Sequence, residues 1–446
     1  MSNTRQATAS SPWRAPLIFL VIAALFVLEG TTRNALFSGS WNSALAILNM
    51  GLISAVMALG VNMQWGYAGL FNAGVVGFLA LGALGPVLVA TRPVEGAWSA
   101  GGPRVLLALV VGLATLILAA QVWQRAPQRL RAIAMIAILV LGFVLYRFLF
   151  DPAVMAIEAN NSASAGNIGG LGWPVLLSWP VGAAFAAAAA WGVGKVALGL
   201  RSDYLAIATL GIGEIIVAVL RNEEWLARGV KNMSGIPRPV PYELDLQNDP
   251  GFVAKAASWG MDVSTASGIW VKLMYAGIFA VVLLGLVLLA ELALKSPWGR
   301  MMRAIRDNET AASAMGKNIK GRHLQIFVIG SAVIGLAGAM MVTLDGLLSP
   351  GSFNPLRYTF LVWVMVIVGG SGNNWGSVLG GLLIWFLWIK AEVWGPELMN
   401  LVTLPLPDGA LRQHLLDSAP HMRFIAMGLV LLLVLRFAPR GLVPEK

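Results

Sequence analysis

The chain of 446 residues is 58% hydrophobic and only 12% charged, with a mean hydropathy of +0.75. Because soluble domains carry about 25% charged residues, this composition excludes a soluble globular protein and indicates a polytopic membrane protein. The net charge of +10 is better explained by basic cytoplasmic loops than by nucleic-acid binding, so no nucleic acid is expected as a partner. The absence of cysteine excludes disulfides and thiol chemistry, and three scattered histidines form no metal site. No cofactor is expected.

Apolar runs separated by charged or glycine- and proline-rich breaks predict an all-α membrane fold. We expect about 10 to 12 membrane segments, some of them broken or re-entrant, because a span needs about 20 apolar residues. The segments cover residues 15–30, 42–63, 69–91, 104–122, 131–150, 174–199, 204–221, 269–293, 323–347, 357–371, 376–394 and 421–437. No cleavable signal is evident before the first segment. The whole chain, 1–446, is therefore interpreted as a single transmembrane domain.

The basic residues predict the orientation of these segments. If Arg5 is cytoplasmic, alternation places the basic groups at 125–131, 295–322 and 436–446 inside as well, as the positive-inside rule requires. Both termini are then cytoplasmic. The long loop 223–268, which is proline-rich and mixed in charge, is then periplasmic, as an ordered cap or a mobile loop.

Residues 295–322 form the one long polar segment that is both strongly basic and helix-patterned. Ser296 suits the N-cap, Pro297 the first helical position and Gly316 the position just past the end. These signals predict one amphipathic helix of roughly five turns between two membrane segments. The basic face could lie on anionic lipid, but acidic residues such as Glu309 and a run of alanines favour a groove in a protein partner.

The sequence contains none of the common motifs for chemistry. There is no G-x-x-x-x-G-K-[ST] phosphate-binding loop, so the chain is not expected to bind and hydrolyse ATP itself. There is also no Ser/His/Asp set and no pair of catalytic carboxylates. We therefore expect a protein that is not an enzyme.

Two glycine-rich stretches, 62–85 and 368–381, allow two interpretations. Small residues let membrane helices pack closely. Alternatively, helices broken near 62–72 and 371–374 line a pathway, because irregular backbone at membrane depth is tolerated only against protein or water. The second interpretation makes five polar residues candidates for the pathway: Asn62, Gln64, Tyr67, Asn72 and Asn373.

Several charged residues also fall within or beside apolar runs. Glu214 at a helix centre costs about 2.5 to 3.5 kcal/mol on insertion scales, so it is either a satisfied carboxylate at a helix break or a group with a transport role. Glu29 and Lys390 lie near segment ends and are expected to snorkel towards the interface. Asp345 and Arg357 flank an outer turn and are expected to pair.

These residues resemble a known family at several separate blocks. The blocks are SPWGR at 296–300, AIRDNE at 304–309, AA at 311–312, MG at 315–316, GYAG at 66–69, DYLAIATLG at 203–211 with GEI at 213–215, VGG at 368–370 with WG at 375–376, and PRGL at 439–442. Together they resemble the permease subunits of branched-chain amino-acid ABC importers, in particular the longer, M-type permease.

The resemblance implies a heteromeric importer in the bacterial inner membrane. Its expected partners are a second permease subunit, two cytoplasmic ATP-binding subunits, a periplasmic substrate-binding protein and the lipid bilayer. It also implies that residues 295–322 couple the permease to the ATPase. The coupling residues are Ser296, Pro297, Gly299, Arg300, Ala304, Arg306, Glu309, Ala311, Ala312 and Gly316. The charged members would contact the ATPase, and the small ones would permit close docking.

The sequence alone leaves other functions open. After Gly69 the sequence reads LFNAGV at 70–75 in place of the family's usual block, and the segments between 104 and 150 look like additions. An importer of urea or short amides would share the coupling segment. An ion-coupled secondary transporter would use Glu214 as its proton or cation site. A non-transporting scaffold would leave Glu214 and the broken helices unexplained.

Overall fold

A computed structural model describes residues 13–34, 36–128, 130–160 and 166–445. The topology prediction also uses Arg5, Arg129 and Lys446, which lie outside the described residues. Within these ranges the chain is almost entirely helical, so the predicted all-α fold is confirmed. A pair of two-residue strands, β1 (Met233–Ser234) and β2 (Leu347–Leu348), runs antiparallel.

Nineteen α-helices follow one another in the described chain. They are α1 (Arg14–Thr31), α2 (Trp41–Ala68), α3 (Val75–Val89), α4 (Ala97–Ala100), α5 (Gly102–Arg125), α6 (Arg131–Ala159), α7 (Val175–Ala197), α8 (Ser202–Asn222), α9 (Glu224–Ala227), α10 (Glu243–Asn248), α11 (Pro250–Ser258), α12 (Val263–Lys295), α13 (Pro297–Asp307), α14 (Glu309–Ala314), α15 (Ile319–Asp345), α16 (Leu361–Gly369), α17 (Asn374–Thr403), α18 (Ala410–Ser418) and α19 (Met422–Phe437). A π-helical turn, Leu356–Phe360, leads directly into α16.

The described part of the chain has nine helical stretches long and apolar enough to cross a membrane. Three shorter apolar helices, Ala15–Thr31, Val75–Val89 and Leu356–Gly369, complete the set. Each of the twelve apolar segments expected from the sequence therefore coincides with a helix. The three short helices have fewer than the roughly 20 residues that a simple span needs, as expected for broken or re-entrant segments.

Helix α2 lies at the centre of the molecule, packed between α12, α15, α16 and α17. Because neighbouring helices surround it, most of its side chains are buried, including the polar ones. Helices α5 and α6 instead pack mainly on each other and expose most of their apolar surface. The two segments that look like additions in the sequence thus form a peripheral hairpin.

Loops and short helices gather at two ends of the fold. Residues 295–322, the turns 69–74 and 370–373, and the carboxyl-terminal tail meet at one end, where Arg306 contacts both Gly66 and Glu445. We call this the coupling end. At the opposite end, which we call the outer end, β1 of the long loop pairs with β2, and the Ile236 amide donates to the carbonyl of Gly346 over 3.2 Å.

The long loop 223–268 forms an ordered structure at the outer end. It holds α9, α10 and α11 and the first turn of α12. Phe252 of α11 packs with Ala256 and Ala266 in a small apolar cluster. The loop is therefore a folded cap, which is the first of the two alternatives that its sequence allows.

Glycines hold α3, α7 and α15 in close contact. A Cβ atom at Gly82 would lie 1.9 Å from the carbonyl oxygen of Gly335, and one at Gly182 would lie 2.3 Å from the carbonyl oxygen of Gly82. Packing and not water exclusion drives association of membrane helices, so such close backbone approach is stabilising. For this part of the stretch 62–85, the interpretation as helix packing is correct.

We expect Gly82→Ala to destabilise the isolated subunit by about 1 to 3 kcal/mol, because the added methyl must push α3 away from the α15 backbone. The thermal unfolding midpoint in detergent, followed by tryptophan fluorescence, measures the loss. Gly285→Ala in α12 is the matched control, since nothing lies within 4 Å of its added methyl. Equal midpoints for the two variants would contradict the packing argument.

Glu29 and Lys390 do not snorkel; they form a buried ion pair. The Lys390 Nζ lies 2.7 Å from Glu29 Oε2, and the two side chains are 3% and 1% exposed. Ser38 and Ser43 donate to Glu29 Oε1 over 2.7 and 2.9 Å. The snorkelling prediction is therefore wrong for both residues, because Ser38 of the turn between α1 and α2 and Ser43 of α2 supply the remaining hydrogen bonds of the buried carboxylate.

Candidate functional site

The segment 295–322 folds as two helices, so the predicted continuous helix is wrong. Helix α13 ends at Asp307, and Asn308 adopts an extended conformation with φ −155° and ψ 94°. Its side chain then accepts a hydrogen bond of 2.9 Å from the Ala311 amide and caps α14. Asparagine suits this position because its short side chain competes for backbone donors.

The predicted start and end signals of this segment are confirmed. The Ser296 hydroxyl accepts from the Gly299 amide over 3.4 Å at the N-cap, and Pro297 is the first helical residue. Gly316 follows α14 with φ +75°, a left-handed conformation that favours glycine. The outer residues of the motif therefore define where the helix pair begins and ends.

The predicted coupling residues divide into an inner and an outer set. Met302 and Ile305 bury the apolar face of α13, and Ala312 packs against Ile305. Gly299 also faces inward, since a Cβ there would lie 2.4 Å from the carbonyl oxygen of Leu294. The residues left exposed are Pro297, Arg300, Ala304, Glu309, Ala311 and Gly316. Two of the small residues expected to permit docking, Gly299 and Ala312, thus serve packing within the chain.

Arg306 joins the coupling helix to two distant parts of the chain. Its Nη1 donates to the carbonyl oxygen of Gly66 at the end of α2 and, over 2.8 Å, to Glu445 Oε2 in the carboxyl-terminal tail. Its Nε donates to Asp307 over 3.1 Å. Burial opposes the charge, but Glu445 and Asp307 together raise the pKa of Arg306 above its ordinary value, so the guanidinium stays charged.

A buried polar cluster lies directly behind this contact. The Asn374 Oδ1 accepts from the Tyr67 hydroxyl and from Asn62 over 3.3 Å, and its amide nitrogen donates to Glu291 over 3.0 Å. Asn62 in turn accepts from the Gly372 amide over 2.8 Å. The cluster connects the end of α2 with α12 and with the turn between α16 and α17.

The residue at the centre of this cluster, Asn374, is not among the candidates from the sequence. Its neighbour Asn373 is, and it has a local role: its side chain caps α17 by accepting from the amides of Trp375 and Gly376. Adjacent asparagines give the same signal in a sequence. Because α17 begins at Asn374, Asn373 is the capping residue and Asn374 points into the core.

Gln64 and Asn72 form a second buried cluster on the other side of α2. The Gln64 amide nitrogen donates to the carbonyl oxygen of Phe327 and to the Ser331 hydroxyl, each over 3.0 Å. Its oxygen accepts from Asn72 over 2.9 Å. Both side chains are fully buried and use these groups to link α2 to α15 and to the turn 69–74. The structure thus brings four of the pathway candidates together around the end of α2.

Glu214 is the pathway candidate that lies apart from the others. It occupies an exposed position on α8, on the face away from α3, and no described residue forms a hydrogen bond or an ion pair with it. Helix α8 runs unbroken from Ser202 to Asn222. The expected helix break at Glu214 is therefore wrong, and the described part of the chain does not satisfy the carboxylate.

The separate sequence blocks of the resemblance meet around this site. Gly66 allows α2 to touch the 370–373 turn, since a Cβ there would lie 2.5 Å from the Gly372 amide. The tail block 439–442 packs on the same turn, where the Leu442 amide donates to the Val368 carbonyl over 2.8 Å. The α8 block supports the turn 69–74, because the Thr209 hydroxyl accepts from the Ala73 amide over 3.0 Å. These contacts connect the blocks of α2, α8, the 370–373 turn and the tail in the folded chain.

Comparison with known proteins agrees with this grouping. A family model described as branched-chain amino acid transport system / permease component matches residues 43–435. The chain is 31% identical over 232 residues to the high-affinity branched-chain amino acid transport system permease protein LivM of Escherichia coli (strain K12), covering 51% of this chain and 53% of that protein. It is 25% identical over 247 residues to the probable branched-chain amino acid transport permease protein LivM of Methanocaldococcus jannaschii, covering 55% of this chain and 61% of that protein.

The chain thus spans about half the length of the curated relatives that it matches. No solved structure matches it. The family model, in contrast, extends over most of the chain and includes both the coupling segment and the polar clusters around α2. The family is one of transport permeases and not of enzymes. This chain belongs to the branched-chain amino acid transport permease family.

Proposed function

We propose that this chain is the membrane-spanning permease subunit of an ATP-driven importer of branched-chain or related amino acids. The observation that carries the proposal is the contact of Arg306 with both the end of the central helix α2 and the carboxyl-terminal tail. A displacement of the helix pair α13–α14 would be passed to the most deeply packed helix of the fold. The chain has no phosphate-binding loop, so separate ATPase subunits would supply the displacement.

We further propose that the exposed side of α13 and α14 is the surface that docks on an ATPase. Arg300 and Glu309 lie on this side, whereas Arg306 is engaged within the chain. Charges of both signs fix orientation at an interface, and the exposed alanines beside them allow close approach. Two cytoplasmic ATP-binding subunits are the expected partners.

A second permease subunit in the membrane is supported by Glu214. An exposed carboxylate in an apolar helix costs about 2.5 to 3.5 kcal/mol on insertion scales if lipid surrounds it. Its helix face also exposes Ile207 and Ile215, so the surroundings are apolar. A donor or cation from a second permease would satisfy Glu214 at this face. The ion-coupled alternative loses its main support, because the carboxylate is separate from the buried polar clusters.

We propose a bacterial inner-membrane location with the coupling end in the cytoplasm and the folded loop 223–268 in the periplasm. The tail up to Glu445 lies at the coupling end, which supports a cytoplasmic carboxyl terminus. A periplasmic binding protein would then deliver substrate at the outer end. Basic residues of the coupling segment satisfy the positive-inside rule in this orientation.

Proteoliposomes test the proposal. They contain this chain, a second permease subunit, two ATPase subunits and a periplasmic binding protein from the same organism. We expect leucine uptake only with ATP and with every subunit present. Uptake of urea or a short amide in place of leucine would support the alternative importer. Uptake driven by a proton or sodium gradient without the ATPases would contradict the proposal.

A further inference from the structure

A cavity of about 540 Å³ opens at the outer end, opposite the coupling segment. The beginning of α2, the beginning of α12, the end of α15 and the π-helical turn before α16 line it. π-helical turns occur often at functional sites. The volume lies within the range of about 300 to 1,000 Å³ that is typical of small-molecule sites.

Charged side chains of both signs line this cavity: Lys272, Asp345 and Arg357. The expected pairing of Asp345 with Arg357 is wrong, because no ion pair within 4.0 Å joins them. Among the described residues, no ion pair neutralises any of the three. They therefore present separate positive and negative charges to one space.

The two cations are held in place by neutral groups. The Lys272 Nζ donates to the backbone and side-chain oxygens of Asn42 over 3.2 and 3.0 Å. The Arg357 guanidinium lies over the rings of Tyr358 and Trp385, 5.2 and 5.4 Å from their centroids. Aromatic faces orient a guanidinium without neutralising it, so its donors remain able to bind an anion.

Two buried polar atoms of the lining residues also lack partners in the described chain. Asn49 is fully buried and donates to the Lys272 carbonyl over 2.9 Å, but its Oδ1 receives no hydrogen bond. The Nε of Arg357 is buried and donates to nothing. Because buried polar atoms are nearly always bonded, this acceptor and this donor are available to a group that enters the cavity.

We propose that this cavity binds the substrate as a free amino-acid zwitterion before it crosses the membrane. The α-carboxylate would bind Arg357 and Lys272, and the α-ammonium would bind Asp345 and the Asn49 Oδ1. The apolar side chain would pack on lining residues such as Met50, Met341 and Phe353. The inference rests on the proposed function and deepens it, since urea and short amides lack the two charges that this arrangement recognises.

The test uses the purified permease–ATPase assembly in nanodiscs, without the binding protein, and measures binding of labelled l-leucine by equilibrium dialysis. Leucinamide lacks the carboxylate, and 4-methylpentanoate lacks the ammonium group. We expect each to compete about tenfold more weakly than unlabelled l-leucine, because a hydrogen bond to a charged group is lost. The wild-type protein alone can overturn the inference. It would do so by showing no saturable leucine binding, or equal competition by l-leucine, leucinamide and 4-methylpentanoate.

Two variants test which charged group of leucine each cavity side chain binds. We expect Arg357→Gln to weaken leucine binding about tenfold and to remove the preference over leucinamide, whereas Asp345→Asn removes the preference over 4-methylpentanoate. Arg221→Gln and Asp249→Asn are the matched controls, since both residues are exposed and neither lines the cavity. Unchanged preferences in the cavity variants would overturn the assignment.

ATP-driven leucine uptake by the complete wild-type assembly is measured in parallel. It distinguishes failure of the cavity assignment from failure of the proposed function. If uptake occurs but binding does not depend on the two charges, only the cavity is misassigned. If the wild-type assembly does not import leucine, the proposed function itself fails.

Discussion

Replacing Arg306 by Glu is expected to reduce substrate uptake by the assembled transporter strongly while ATP hydrolysis continues. The change removes the bond to the Gly66 carbonyl and places a carboxylate beside Glu445 and Asp307. Hydrogen bonds to charged groups contribute about 1.5 to 3 kcal/mol each, so loss of this link should reduce uptake by at least about tenfold. Uptake and ATP hydrolysis are measured on the same proteoliposomes.

Arg300→Glu is the matched control, because Arg300 lies on the same helix but is exposed, and its side chain donates to the nearby Lys295 carbonyl over 3.2 Å. We expect it to weaken ATPase association, a defect that added ATPase corrects, whereas Arg306→Glu is not corrected in this way. Glu445→Arg in the Arg306→Glu background should recover part of the uptake by restoring an ion pair. Normal uptake with Arg306→Glu alone would show that the link does not transmit motion.

Glu29→Gln is expected to lower the free energy of unfolding by about 3 to 5 kcal/mol, because it leaves the charge of Lys390 buried without a partner. The pair joins α1 to α17, and the side chains of Glu29 and Lys390 are 1% and 3% exposed. Reversible unfolding of the isolated subunit in mixed micelles, followed by tryptophan fluorescence, measures the change. Removing both charges, as in Glu29→Gln with Lys390→Met, should recover most of the loss.

Glu392→Gln provides a close control for this prediction. Glu392 pairs with Arg423 at the same distance of 2.7 Å and also involves α17, but the two side chains are 47% and 29% exposed. Exposed ion pairs contribute about 0 to 1 kcal/mol, so this variant should stay near the wild type. A similar loss in Glu29→Gln and Glu392→Gln would mean that burial does not set the strength of the inner pair.

The helices of this protein could be predicted from the sequence because each depends on local properties. Apolar length marks a membrane helix, and capping residues such as Ser296, Pro297 and Gly316 mark the ends of the helix pair α13–α14. The prediction failed locally at Asn308, where a capping side chain ends one helix and begins the next. Asparagine within a helical pattern is compatible with either outcome, so only the folded backbone distinguishes them.

Side-chain partners could not be predicted in the same way. Glu29 and Lys390 are 361 positions apart, and Arg306 and Glu445 are 139 apart. Nothing in the local sequence distinguishes a charge that snorkels from one that is buried against another helix. The same holds for Asp345 and Arg357, which are close in sequence yet face a cavity as separate charges.

By itself, the sequence determined that this protein is an all-α membrane protein, which segments form its apolar helices, and that residues 295–322 form a polar helical unit between two of them. Composition and the helical period of the apolar residues are properties of short stretches, so they can be read without knowledge of packing. Only the tertiary structure decided that the coupling helices contact α2 through Arg306, that Asn374 and not Asn373 centres the polar cluster, and that Glu214 faces outward. These features depend on which helices pack together, and helix packing in a membrane is set by close contact between surfaces that are distant in the chain.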